Sequence, residues 1–125
     1  MDPVLEKIAS DVIQASFAIH TELGPGLLER VYQLLLESKL KAMGYDVDCG
    51  VPVTFSYDGE TFTDAFRVDI LVNKALVVEL KSAEAMLPVY GKQVLTYLRL
   101  MNLRLGLLIN FGMAHLKDGL KRIAN

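Results

Sequence analysis

The stretch Leu76-Val77-Val78-Glu79-Leu80-Lys81 is apolar enough for an inner strand, yet it carries a carboxylate and an amine two residues apart. Alternate residues of a strand share one face, so Glu79 and Lys81 are predicted to project side by side. The same oddity occurs one apolar segment earlier, where Asp69 sits between Val68 and Ile70. An unpaired charge in such a place costs roughly several kcal/mol unless a partner or a metal compensates. The plainer explanation is a partly buried structural ion pair between Lys81 and one or both acids. It leaves a surplus of negative charge, two acids against one lysine, and hard oxygen donors of this kind suit magnesium or manganese.

Register decides whether the two acids can share a site. If Asn73-Lys74 made a simple two-residue hairpin loop, Asp69 would face Val78 and lie on the opposite side of the sheet from Glu79. A three-residue loop, or one bulge, sets Asp69 opposite Glu79. The sequence reading therefore predicts an odd-length loop or a bulge between them.

The remaining elements must position these strands. Asp2-Pro3 reads as a helix start, followed by Leu5, Ile8, Val12, Ala15, Ile19 and Leu23 at helical spacing. Gly24-Pro25-Gly26 ends that helix, and a second is predicted from about Leu27 to Met43, capped by Gly44. Val51, Val53, Phe55 and Tyr57 alternate as a half-buried strand, and Asp58-Gly59 is a hairpin signal. Strands are predicted over Thr61 to Thr63, Phe66 to Val72 and Leu76 to Ser82. A helix from Pro88 to Met101, a strand over Leu105 to Ile109 and a closing helix over His115 to Ile123 complete the chain. The predicted order is α-α-β-β-β-β-α-β-α, a single domain over residues 1–125 with an α/β architecture, here an α+β mixed sheet flanked by helices.

Asp69, nine intervening residues and then Glu79-Leu80-Lys81 resemble the D…(D/E)XK signature of PD-(D/E)XK nucleases. Gly26-Leu27-Leu28-Glu29-Arg30-Val31-Tyr32 fits the motif that names the GxxExxY family, a small prokaryotic branch of that superfamily. The segments HTELGPGLLERVY, DILVNKALVVELKS and GKQVLTYLRLMNLRLGLLINFG are similar to it as well, so the resemblance runs from about Ile8 to Asn125. It implies a restriction-endonuclease-like core and a metal-dependent nuclease. Glu29, Asp69 and Glu79 would be metal ligands with the Leu80 backbone carbonyl, and Lys81 would position the attacking water and stabilise negative charge. Gln93 and Tyr97 match the QxxxY element of RecB-like members. Val68 stands where the signature has proline.

The residues alone allow plainer roles. Glu29 suits a first helical turn on dipole grounds. Tyr32 and Tyr97 would serve as core aromatics, and Gly26 would serve only its turn. Glu29, Tyr32, Gln33 and Leu36 share one helix face by spacing, as do Gln93 and Tyr97. His20 and His115 stand in separate helical contexts, Cys49 has no base nearby in sequence, and Gly24-Pro25-Gly26 lacks the lysine of a phosphate loop.

Composition bounds the function classes. With 52% hydrophobic and 22% charged residues the chain is globular, and one cysteine excludes an internal disulfide or a cysteine metal cluster. No apolar run reaches the length of a membrane span and the amino terminus does not read as a signal peptide, so a cytoplasmic protein with no membrane partner is expected. The net charge of −2 is unevenly spread, about −7 over residues 1–80 and +5 over residues 81–125. Lys92, Arg99 and Arg104 in the basic part are candidate phosphate contacts. The expected activity is phosphodiester hydrolysis of nucleic acid, DNA ahead of RNA, with Mg2+ or Mn2+. The alternative is a catalytically inactive nuclease-fold module for nucleic-acid binding or assembly. The apolar content admits a homodimer.

Overall fold

The computed structural model describes residues 1–125. Helix α1 spans Pro3–Leu23 and α2 Glu29–Ala42; strands β1 (Val47–Tyr57), β2 (Glu60–Val72) and β3 (Leu76–Lys81) follow. Helix α3 (Pro88–Met101), strand β4 (Leu105–Asn110), a 3-10 turn over Leu116–Gly119 and strand β5 (Leu120–Ala124) complete the chain. No helix is long and apolar enough to cross a membrane.

The helix boundaries follow local chemistry. Asp2 accepts a hydrogen bond from the Val4 amide at 2.9 Å, and Pro3 opens α1 with the φ a first turn needs. At the end of α2, the Gly44 amide donates to the Lys41 carbonyl and the Tyr45 amide to the Leu40 carbonyl. That is a Schellman closure, and the residue carrying it, Gly44, has φ +93°. The stripe of Leu5, Ile8, Val12, Ala15 and Ile19 is buried as its spacing requires, whereas Leu23 is half exposed at the helix end.

The sheet order is β1-β2-β3-β4-β5, antiparallel throughout except for the β3–β4 pair. The parallel pair is joined through α3, the crossover such a pair needs. Helices α1 and α2 cover one face over Ile70, Val72, Val78, Leu80, Leu107 and Ile109. On the other face, Val94 and Leu98 of α3 cover Val77 and Leu108. The result is a mixed α+β sheet with helices on both sides, as the sequence predicts.

Three details of the predicted order need correction. The segments Thr61–Thr63 and Phe66–Val72 are one strand: β2 runs through both, with an irregularity where Val53 pairs with Phe66 but Phe55 with Phe62. The polar run Thr63-Asp64-Ala65 that resembles a break is an outward bulge with Asp64 at φ +50°. The predicted closing helix over His115 to Ile123 is instead the 3-10 turn and β5. Leu116, Leu120 and Ile123 have helical spacing, but β4 is wholly buried and its outer side needs a paired strand. Gly119 also lies so close to the Asn110 carbonyl that no Cβ would fit there. Finally, α2 starts at Glu29 rather than Leu27, because the Leu27 amide donates to the Tyr32 hydroxyl at 3.2 Å and stays outside the helix.

Candidate functional site

Strands β2 and β3 meet through Val72↔Leu76, Leu71↔Val77 and Ile70↔Val78. Asn73 and Lys74 both adopt positive φ, and the Ala75 amide closes a tight turn on the Val72 carbonyl at 3.0 Å. Ala75 is then one residue too many for a two-residue hairpin. This extra residue is the odd loop expected above, and it shifts the register so that the next pair would be Asp69 with Glu79.

The regular ladder does not continue to that pair. The side chains take over. The Leu80 amide donates to Asp69 Oδ2 at 2.8 Å, and the Asp69 amide donates to Glu79 Oε1 at 3.3 Å. Each acid therefore satisfies an amide at the place where backbone pairing stops. On the other side Asp69 is flanked by the β1 pairs Cys49↔Ile70 and Val51↔Val68, with Gly50 between them at φ +60°. That left-handed residue is the one position in β1 where only glycine sits without strain.

Glu79 is 6% exposed. Burial, and then the negative charge of Asp69, push its carboxyl up to about 8. Lys81, on the same strand face, pulls it down only weakly. None of the chain's ion pairs involves Lys81. The structural ion pair that would have made the cluster ordinary is not formed. The lysine ammonium instead lies over the ring of Tyr90, 4.8 Å from its centroid.

Glu29 joins from the first turn of α2. The Ser82 hydroxyl, just past β3, donates to the Leu27 carbonyl at 2.7 Å and draws the α1–α2 loop over the strand end. Tyr32 fixes the same loop from inside: it is fully buried, stacks on Phe111 at 4.3 Å and bonds through its hydroxyl to the Gly24 carbonyl. The Glu29 carboxyl is raised by burial, then by the charge of Asp69, with Lys81 opposing. It is thus within electrostatic reach of both. Nothing in the packing around Gly26 requires glycine there.

On the α3 side, Tyr97 stacks on Phe66 at 4.3 Å, and burial followed by the charges of Glu79 and Asp69 raises its hydroxyl pKa. Gln93, one turn earlier and half buried, has an amide that makes no hydrogen bond within the chain. Lys92 is exposed and borders a groove with Leu95, Lys121 and Arg122 towards β5, away from β2. Arg99 is exposed and turned about 200° round the helix from Tyr97. Arg104 precedes Leu105, which pairs with Leu76, so it lies roughly 13 Å along the strands from the level of Glu79. Arg99 and Arg104, the other two candidate phosphate contacts, thus stand away from the acids.

Two further residues matter here, and sequence reasoning missed both. Tyr90 precedes Gln93 by three residues and Tyr97 by seven, the spacing that puts all three on one helix face. Asn110, paired with Lys81 and fully buried, accepts from the Ala83 and Gly112 amides at 3.0 Å each and donates to the Ala85 carbonyl at 3.2 Å. It pins the segment that carries the chain from Lys81 into α3.

The donor set suits a hard divalent cation. Two carboxylates meet where the β2–β3 ladder stops, and burial followed by the charge of Asp69 pushes one of them, Glu79, up to about 8. As the side chains stand, no group of three His, Cys, Asp or Glu is gathered closely enough to hold a metal. Asp69 and Glu79 form the pair, with Glu29 as a third acid standing off. The family model described as the PD-(D/E)XK nuclease superfamily matches residues 6–123, which include every residue of this cluster. No curated protein and no solved structure matches the chain.

Proposed function

The chain belongs to the PD-(D/E)XK nuclease superfamily, and from that premise we propose that it is a nuclease hydrolysing phosphodiester bonds of nucleic acid, DNA ahead of RNA, with Mg2+ or Mn2+. Within the superfamily we assign it to the GxxExxY branch, on Gly26, Glu29 and Tyr32. The observation that carries the reading is the meeting of Asp69 and Glu79 beside a lysine that pairs with neither.

Asp69 and Glu79 would hold the ion, with the Leu80 carbonyl and Glu29 completing the oxygen donors. When bound, it supplies Lewis-acid polarisation of the phosphate and a water of lowered pKa. Lys81 adds a fixed positive charge where the attacked phosphorus gathers negative charge, and it orients the water. The unengaged Gln93 amide and the Tyr97 hydroxyl stand along α3 as contacts for a phosphate oxygen or that water. Lys92 remains a candidate contact for the backbone further along.

The rival reading is a nuclease-fold module that binds nucleic acid or a partner protein without cutting. The observation in its favour is that no three acids are gathered closely enough to hold a metal. Labelled single- and double-stranded DNA and RNA, each incubated with Mg2+ or Mn2+, separate the two. Cleavage of at least one substrate, lost with EDTA and in Asp69→Ala, is the expected result. Binding without any cleavage by the wild-type chain would establish the module instead.

A further inference from the structure

We propose that Tyr90 is a positioning residue for Lys81, holding the ammonium by the face of its ring. This rests on the nuclease reading for its consequence, though the contact itself does not. Lys81 is half buried, and a cation in that position needs a compensating partner. The acids nearest in the strand, Asp69 and Glu79, are engaged with the amides of the facing strand instead. The group that does face the ammonium is the Tyr90 ring, 4.8 Å from nitrogen to centroid, inside the range of a cation–π contact.

The choice of an aromatic partner has a chemical consequence. A carboxylate partner would cancel the lysine's charge at the site and compete with a phosphate oxygen for its N–H groups. A ring face attracts the ammonium through its quadrupole, leaves the net charge at +1 and occupies no hydrogen-bond donor. The side chain keeps one orientation and stays available to the substrate. Tyr90 lies in the first turn of α3, two residues after Pro88, where the helix start is fixed by proline and by the Asn110 pin on Ala83 and Ala85. The ring is thereby placed on a rigid element rather than on the loop.

The test compares Tyr90→Leu and Tyr90→Phe with the wild type, each checked for folding by circular dichroism. A proton on a carbon held over a ring is shifted upfield, so the Lys81 ε-methylene resonance in a proton–carbon spectrum reports the contact without any activity. The expected result is loss of that upfield shift in Tyr90→Leu and its retention in Tyr90→Phe. With a cleaved DNA substrate and Mg2+, kcat is expected to fall about fivefold in Tyr90→Leu with KM little changed, and to return in Tyr90→Phe. An ε-methylene shift that is the same in Tyr90→Leu and the wild type overturns the proposal. So does a Tyr90→Phe protein as slow as Tyr90→Leu, since the hydroxyl rather than the ring would then be what matters. If the wild type cuts nothing, the nuclease reading fails while the spectra still decide the contact.

Discussion

Lys81→Ala is expected to slow cleavage by about two to three orders of magnitude, the usual cost of removing one group that stabilises charge only in the transition state. The fold should survive. Lys81 lies at the end of β3, is half buried and takes part in no ion pair, so its removal strands no charged partner. The loss should appear in kcat more than in KM, because the ammonium meets a developing charge rather than the whole length of the substrate. Single-turnover cleavage of a labelled oligonucleotide, with a thermal melt on the same preparation, measures both. A Lys81→Ala protein that cuts at the wild-type rate would remove the lysine from the mechanism.

The second large effect is structural. Asn110→Ala removes the acceptor for two backbone amides and the donor to one carbonyl, all in the segments around the end of β4 and the start of α3. Backbone groups left without partners away from water cost about 1–3 kcal/mol each. Allowing for partial hydration, the expected destabilisation is about 3 kcal/mol, which for a chain of this size lowers the melting midpoint by on the order of 10 °C. The neighbouring Gly112 supports the account: a Cβ there would run into the backbone of Ala83, so the same segment is closely packed from both sides. A melt of Asn110→Ala that coincides with the wild type would show that water replaces the amide at no cost.

How much of this was legible in the sequence depended on whether a signal was local. Glu79 and Lys81 were visible because period two inside an apolar strand leaves charges nowhere else to point. The odd loop followed from demanding that Asp69 reach the same site, and Ala75 is the residue that makes it odd. Tyr90 was not legible: a tyrosine in an amphipathic helix looks like any half-buried aromatic, and its partner, Lys81, is nine residues away across a turn. Asn110 was hidden in an apolar strand, where its three backbone partners are all supplied by loops. The β5 strand was misread because Leu116, Leu120 and Ile123 keep helical spacing, and only the unpaired side of β4 overrules them. Arg99 and Arg104 were named as candidate phosphate contacts from charge along the chain alone, which does not tell which end of a strand a residue occupies.

The central claim is that the two acids are held together for a divalent cation, and it has a direct thermodynamic signature. Glu79 keeps its proton in the folded chain up to a pKa of about 8, against 4.5 when unfolded. Between those values the folded state binds more protons, so stability without metal falls as pH rises through that window, and the penalty is complete above it. A cation that binds the ionised pair removes the penalty and competes with the proton, so its stabilising effect grows over the same range. The measurement is the melting midpoint of the wild type and of Glu79→Gln from pH 5 to pH 9, in EDTA and in millimolar Mn2+. The account predicts a decline with pH in EDTA, recovery of about 10 °C by Mn2+ near pH 8 with much less near pH 5, and neither effect in Glu79→Gln. A wild-type midpoint that Mn2+ leaves unmoved at pH 8 would contradict it.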